Sequence, residues 1–419
     1  MANVGNERGD IRVDGGGNEL KRQAADRKTI SRPGHRVLVL GIVCAVIVFG
    51  GMLLPPQLFT GTGFSGFLSS PSVFIDLMGR RISSFLQFIT GGSSDFEWQF
   101  CGFVLSAMMG AALGMCGSVY QGALRNPLAA PKTLGVMSGG ALGAFLFYLT
   151  PLATAGPTFI SESAFSIQFA DYGKWLASLD PLSQLWINYG KALCSVAGCF
   201  LIVTIVVLVS AATGRGKLSN ITVIVAGQIF AVGVSSVIMF YRNTYVASGN
   251  YEMADLLMQI ENYALGGMYG VKDLAVVGIP LLICIIGVLL MRNKLTMLSF
   301  GDEEAQTMGV NVNRWRYIMI AVCTFMTGWA ISFMGHVAFL GFISAHVARR
   351  IVGPDMRYLL PASLLVGASF ITFFYLLTTV GLFFAPQGSV GMWTSVVGAA
   401  VFLVLALRQR GKSQDNWGR

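Results

Sequence analysis

The stretch YQGALRNPLAAPKTLGVMSGGALG, residues 120–143, decides what kind of protein this is. It places an arginine, a lysine, two prolines and several glycines inside a region that is otherwise strongly apolar. In a bilayer every backbone N–H and C=O group needs a partner, so such a break survives only where protein or a water-filled cavity surrounds it. The stretch is therefore a candidate element of a transport pathway.

The composition points to a membrane protein without reference to any motif. Of the 419 residues, 54% are apolar and 12% are charged, and the mean hydropathy is +0.65, which lies outside the soluble range. A spanning helix needs about 20 apolar residues. Uncharged runs of about that length or more occur at 37–54, 98–124, 133–161, 192–213, 218–241, 274–291 and 317–348. A longer run, 358–407, is divided by the turn sequence Ala-Pro-Gln-Gly at 385–388.

The basic residues predict the orientation, because Lys and Arg in short flanking segments stay in the cytoplasm. We expect a disordered cytoplasmic tail over 1–36, a transmembrane domain over 37–408 and a second cytoplasmic tail over 409–419. With both tails inside, the number of crossings is even, and alternation places Arg125 and Lys132 in the cytoplasm. The exception is the pair Arg80 and Arg81, which falls in the long outer segment 55–97.

Ten helices satisfy this count if the 32 uncharged residues between Arg316 and Arg349 form two unequal helices. We expect a full helix over 317–334, a break at Gly335–His336 and a short helix that ends at Arg349. Glycine spacing hints at an inverted repeat, although small residues also let membrane helices pack closely. The glycines concerned are Gly110, Gly117 and Gly122, answered by Gly328, Gly335 and Gly341.

The stretch 120–143 resembles the signature of the FecCD-type permeases, the membrane subunits of ABC importers for iron-siderophores, heme and vitamin B12. Gln-Gly, Arg-Asn-Pro-Leu-Ala, Leu-Gly-Val and Ser-Gly-Gly occur in the family's order. A second signature follows in Gly335-x3-Phe339-Leu340-Gly341 and His346-x2-Arg349, and the resemblance covers about 97–405. It implies an all-α polytopic membrane protein of about ten transmembrane helices, two of them short, with the inverted-repeat type II ABC importer architecture.

Residues 292–316, here called the coupling segment, form the only long cytoplasmic connection between spans. Their acidic residues suit the positive N-terminal end of a short helix, which Gly309 would terminate. The residues alone also fit a solvated acidic turn. The resemblance implies that the segment carries the coupling helices that press into a groove of the ATPase, through Gly301, Asp302, Glu303, Glu304, Ala305 and Gly309.

In the family, the substrate path lies between two permease copies. It is closed toward the cytoplasm by the Asn-Pro-Leu turn and by the start of the fifth helix. Here these positions are Asn126, Leu128, Ser219 and Asn220. Asn126 and Ser219 also fit as helix N-caps, so the residue types leave both roles open.

The chain is not expected to be an enzyme. Gly214-Arg-Gly-Lys217 lacks the spacing of a phosphate-binding loop, so ATP would be bound by a separate ATPase subunit. The seven cysteines lie in apolar segments without a CxxC pair, and we expect no metal site and no cofactor. An intramembrane enzyme is disfavoured because no catalytic constellation is visible.

The other partners implied are an extracytoplasmic substrate-binding protein, a second permease copy or a paralogous permease, and membrane lipid, with no nucleic acid. The arginines on which relatives dock the binding protein are absent from Phe96–Gly102, and Arg80 and Arg81 are the candidates to replace them. The resulting prediction is a permease of the cell inner (plasma) membrane, with both termini cytoplasmic, that imports an iron-siderophore, heme or corrinoid. The alternative is an ion-coupled secondary transporter, which normally places ionisable residues at mid-membrane. The interiors of the predicted spans hold none, and only His346 lies close to the edge of one.

Overall fold

The computed structural model describes residues 33–54, 71–90, 95–150, 178–213, 220–251, 253–254, 257, 271–335, 337–380 and 390–409. The predicted tails lie almost wholly outside these residues. The helices are α1 (Pro33–Leu53), α2 (Pro71–Ile89), α3 (Asp95–Ala123), α4 (Val136–Tyr148), α5 (Pro181–Thr213), α6 (Asn220–Ala247), α7 (Val271–Leu290), α8 (Arg292–Phe300), α9 (Asp302–Thr307), α10 (Val312–Met334), α11 (Leu340–Val352), α12 (Met356–Thr379) and α13 (Val390–Gln409).

Seven of these helices are long and apolar enough to cross a membrane, namely α1, α3, α5, α6, α7, α10 and α12. Among the described residues, these seven together with α4, α11 and α13 correspond to the ten helices that the sequence predicts, and α2 is a further helix in the outer segment 55–97. Helices α3 and α10 are the most deeply buried of the seven, whereas α1, α6 and α7 leave most of their surface uncovered. The domain is therefore built around α3 and α10, with an apolar outer surface that suits lipid or a second subunit.

The two short helices occur where the sequence predicts them. Helix α10 ends at Met334, where Gly335 takes a φ of 86° and donates its N–H to the Ile331 carbonyl, and α11 begins at Leu340. A glycine with positive φ is a common helix terminator because it lacks a Cβ. Helices α4 and α11 have 13 residues each, about 20 Å of helix, which is less than the roughly 30 Å of a hydrocarbon core.

Glycines bring the helix backbones together at the main crossings. At the α3–α12 crossing, a Cβ on Gly110 or Gly114 would overlap the backbone at Gly367. At the α4–α5 crossing, Gly139 lies in the same way against Gly198. Membrane helices associate through such close packing because lipid is as apolar as their side chains. The small-residue interpretation of the glycine spacing is confirmed.

The helix contacts also repeat between the two halves. Helix α3 packs against α11 and α12, and α10 packs correspondingly against α4 and α5. The first glycine of each spacing pattern lies at a corresponding crossing. Gly110 of α3 faces α12, and Gly328 of α10 lies against Val196 and Cys199 of α5. This correspondence is what an inverted repeat requires.

Candidate gate and coupling sites

The connection between α3 and α4, residues 124–135, is here called the gate turn, and it satisfies its backbone largely with its own groups. The Asn126 carboxamide Oδ1 accepts the Leu128 N–H at 2.9 Å, and the Asn126 carbonyl accepts the Ala129 N–H at 3.1 Å. The Thr133 hydroxyl accepts the Ala130 N–H at 2.9 Å and donates to the Ala130 carbonyl at 2.8 Å. A non-helical segment can therefore remain within an apolar domain.

Protein surrounds the centre of the gate turn, as the broken sequence predicts. Ala129, Ala130, Pro131 and Leu134 are buried. Pro131 lies against Gly341 at the start of α11, and Gly341 in turn faces Gly117 of α3, where a Cβ on Gly117 would overlap the Gly341 carbonyl. The gate turn thus rests on a stack of small residues from two helices.

Lys132 contacts the residue that precedes α11, and its cytoplasmic location stays a prediction. Its Nζ lies 5.1 Å from the ring centroid of Phe339, the residue before α11, and both line a small cavity. The gate turn and the α10–α11 connection, which alternation predicts on opposite sides of the membrane, thus meet at this cavity.

The predicted gate residues differ in how the structure uses them. Asn126 folds its carboxamide into the turn, so its side chain shapes the backbone. Leu128 has 51% of its surface exposed and points out of the subunit. Helix α6 begins at Asn220, whereas Ser219 lies outside the described residues, as does the environment of the Asn220 side chain. The structure brings Asn126 and Leu128 together, and the contact with Ser219 and Asn220 stays a prediction.

The coupling segment contains the short helix that its acidic residues indicate. Asp302, Glu303 and Glu304 occupy the first turn of α9, where negative charge suits the helix dipole. Gly309 has a φ of 75°, and the Val310 N–H returns to the Ala305 carbonyl at 2.9 Å, which closes the helix. At Gly301 a Cβ would meet the Glu304 carboxylate, which is the movable end of an exposed side chain.

This segment has a hydrophobic cluster of its own, formed by Leu298, Ala305, Val310 and Val312. Ala305 is fully buried there, so its role is packing. Glu303 and Glu304 are exposed, and Met308 leaves 44% of its surface uncovered. The α9 surface available to a partner is therefore acidic, and it is flanked by two exposed apolar side chains, Met308 and Phe300, which leaves 62% of its surface uncovered.

Asp302 turns toward the membrane domain. Its Oδ1 accepts a hydrogen bond from Arg316 Nη2 at 2.8 Å and lies 3.9 Å from Arg125 Nε. The same Arg316 donates its Nε–H to the carbonyl of Ala123, the last residue of α3, at 2.9 Å. Arg316 is 6% exposed. Sequence reasoning did not single out Arg316, because a contact made across 193 residues leaves no local pattern.

The comparisons with known proteins agree with this architecture. The family model of the FecCD transport family matches residues 67–408, most of the chain. The chain belongs to the FecCD transport family. The cobalamin import system permease protein of Halobacterium salinarum is 30% identical over 308 residues, which cover 73% of this chain and 71% of the relative.

Other FecCD relatives include further import-system permeases. The hemin transport system permease protein of Yersinia pestis is 30% identical over 73% of this chain and 81% of its own length. The Fe(3+)-citrate import system permease protein of Bacillus subtilis is 25% identical over 90% of this chain and 97% of its own length. A solved inward-facing structure of a metal-chelate type ABC transporter has a TM-score of 0.62 at 20% identity, covering 90% of this chain and 99% of that one. The fold is that of an ABC transporter permease, and the comparisons give no support to the ion-coupled alternative.

The outer arginines of this FecCD permease have separate environments. Arg81 is 5% exposed, donates to the Met52 carbonyl of α1 from Nε at 3.0 Å and from Nη2, and lies 4.4 Å from the centroid of the Phe96 ring. Such burial argues against a docking role for Arg81. Arg80 is exposed and paired with Asp76 at 2.7 Å, so docking by Arg80 stays a prediction.

His346 sits in α11 and contacts the ring of Phe342, with centroids 5.9 Å apart and planes 12° apart. Its Nε2 is buried and has no hydrogen-bond partner among the residues that the structure describes. Within the same residues, no three His, Cys, Asp or Glu side chains are grouped as metal ligands would be. The described contact of His346 is therefore packing against Phe342.

Proposed function

We propose that this chain is the membrane-spanning permease subunit of an ATP-driven ABC importer that carries an iron-siderophore, heme or corrinoid-type substrate into the cytoplasm. The observation that carries the proposal is the junction of two sites. The acidic helix α9 is bonded through Arg316 to the end of α3, directly before the Asn126–Leu128 turn. A surface suited to a motor subunit thus adjoins a turn suited to a gate.

The proposed assembly contains a separate ATPase, because the sequence has no phosphate-binding loop of its own. The ATPase would contact Glu303, Glu304 and Met308 on the cytoplasmic side. A second permease copy, identical or paralogous, would complete the path beside Leu128. An extracytoplasmic binding protein would deliver the substrate, and both termini would lie in the cytoplasm of a cell whose plasma membrane holds the complex.

The substrate class is supported by the relatives, whose names mention cobalamin, hemin and Fe(3+)-citrate. These are bulky metal chelates, in which the ligand rather than the protein holds the metal. A path closed by an amide and an aliphatic side chain suits such a cargo better than a filter that strips an ion of water.

The decisive experiment is a gentle detergent purification of the tagged chain from its own cells, with mass spectrometry of the proteins that accompany it. We expect an ATPase with a phosphate-binding loop at near one-to-one stoichiometry. Uptake of radiolabelled ferric chelates, heme and cobalamin is then compared in cells with and without the gene. Repeated recovery of the chain alone, with uptake that persists without any ATPase, would support a secondary transporter instead.

A further inference from the structure

We infer that the Asp302–Arg316 ion pair is the link that transmits movement of the coupling segment to the gate turn. Asp302 and Arg316 are positioning residues in this proposal, which rests on the importer function proposed above. Asp302 stands apart from its exposed neighbours Glu303 and Glu304, because it is half-buried and its carboxylate is bonded to Arg316.

The guanidinium of Arg316 joins two elements at once. Nη2 holds the Asp302 carboxylate of α9, and Nε holds the Ala123 carbonyl of α3. The guanidinium is planar and rigid, so Nη2 and Nε keep a fixed spacing and tie the carboxylate to the carbonyl while both bonds last. When α9 moves, the end of α3 is drawn with it.

The end of α3 leads directly into the gate. Arg125, two residues after Ala123, has a φ of 46° and lies 3.9 Å from the same Asp302 oxygen. Asn126 follows and sets the turn that presents Leu128. Asp302 therefore contacts the gate turn through Arg125 and the end of α3 through Arg316.

The pair is also placed where breaking it has a cost. The Arg316 side chain is 8% exposed, against 37% for Asp302, so the charge of Arg316 is largely withdrawn from water. Removing one partner of a buried pair leaves an uncompensated charge, whereas exposed pairs contribute little. The contact is thus suited to hold through a conformational change rather than to fluctuate open.

The competing explanation is that Arg316 only caps the C-terminal end of α3, where cations are favoured. In that case Asp302 merely neutralises Arg316, and loss of Asp302 affects stability without affecting communication. A measurement of gate movement distinguishes the two explanations, because only the proposed link predicts that loss of Asp302 changes it.

The test uses the full complex with its ATPase in inside-out vesicles. Leu128→Cys is labelled with a membrane-impermeant maleimide, without nucleotide and after trapping with ATP and vanadate, and background is taken from vesicles that retain Leu128. We expect the labelling rate to depend on nucleotide. The quantity compared is the ratio of the labelling rates with and without nucleotide. In the Asp302→Ala background we expect this ratio to shrink by about tenfold, within the roughly 5–150-fold typical of coupling between sites.

Asp302→Glu, which keeps the carboxylate, is expected to restore part of the dependence, and Asp302→Asn, which keeps only an oxygen acceptor, is expected to be intermediate. The control is Arg357→Gln, an exposed arginine outside the coupling segment and the gate turn. Unchanged nucleotide dependence in Asp302→Ala would overturn the inference, and so would loss of the ATPase from that variant, since Asp302 would then belong to the docking surface. Failure of the importer proposal is distinguishable, because the unsubstituted chain would then retain no ATPase.

Discussion

The gate turn and the coupling segment are both non-spanning pieces of a membrane protein, yet they are stabilised by opposite means. The gate turn is held by hydrogen bonds among its own residues, by Pro131 against Gly341 of α11, and by the backbone of Thr133 and Leu134 against Gly227 of α6. The coupling segment is held by a separate apolar cluster and by an ion pair with Arg316. A turn inside a bilayer has no water to satisfy its backbone, whereas a segment in water can bury apolar side chains of its own.

The difference also bears on movement. Helix α9 packs on the small cluster that includes Ala305, whereas Leu295 of α8 is buried in the main core, so we expect α9 to shift more readily than α8. The gate turn has backbone contacts on several sides, and we expect it to move together with the end of α3. Three substitutions test this contrast, and they are arranged from the largest expected effect to the smallest.

The largest effect is expected from Gly117→Leu. Its side chain would overlap the Gly341 backbone, and Gly341 supports Pro131 of the gate turn. Overpacking usually costs about 1–3 kcal/mol, and a collision with backbone that cannot move aside is expected to reach or exceed the upper end. The measurement is the Tm and the monodisperse fraction of the detergent-purified chain.

Gly287→Leu is the matched control, because nothing lies within 4 Å of a Cβ at that position of α7. We expect Gly287→Leu to leave the Tm and the monodisperse fraction close to those of the unsubstituted protein. Equal stability of the two variants would contradict the account of how the gate turn is supported.

The second effect is loss of transport without loss of folding. Replacing Glu303 and Glu304 with lysine reverses two exposed charges in the first turn of α9, where the dipole favours acids, so the free energy of unfolding is expected to fall by only about 1 kcal/mol. Substrate uptake and binding of the ATPase are expected to fall at least about tenfold, as expected where like charges meet across an interface.

Replacement of the same pair by glutamine separates charge from size and is expected to give an intermediate loss. Uptake at the unsubstituted level in the lysine variant would remove α9 from the ATPase contact. The Tm of each variant shows whether the fold is intact.

The smallest effect is expected from Asn126→Ala. It removes the acceptor of the Leu128 N–H, a hydrogen bond whose loss typically costs about 1 kcal/mol. The loosened turn is expected to raise the leak of substrate from loaded vesicles while ATP-driven uptake continues.

Asn126→Asp keeps the oxygen acceptor and is expected to retain substrate as the unsubstituted chain does. Leu128→Ala separates the turn from the barrier, since it shortens the exposed side chain and leaves the turn intact. Unchanged retention in all three variants would assign Asn126 and Leu128 a structural role only.

Much of the fold follows from local sequence, and the reasons are visible at particular positions. The end of α10 was predictable because Gly335 has no Cβ and adopts a positive φ. Helix α9 was predictable because its three acids occupy a first turn and Gly309 follows. Each of these signals involves only a few neighbouring residues.

The candidate sites were predictable in part. The motifs found Asn126, Leu128 and the acids of α9, but they grouped Asp302 with Glu303 and Glu304 although its carboxylate faces the membrane domain. They also paired Arg80 with Arg81, which the fold separates into an exposed and a buried side chain. Adjacent residues on a helix point about 100° apart, so equal charge does not imply equal exposure.

The sequence by itself determined that the chain spans a membrane, where its helices break, and which family it resembles, because hydropathy, backbone freedom and motif order are properties of short stretches. Only the tertiary structure decided that Lys132 meets Phe339, that Arg81 is buried against Met52, and that Arg316 joins Asp302 to Ala123. These contacts depend on how helices cross. Glycine spacing predicts that helices pack closely, but which glycine surfaces meet is decided only by their fit in space.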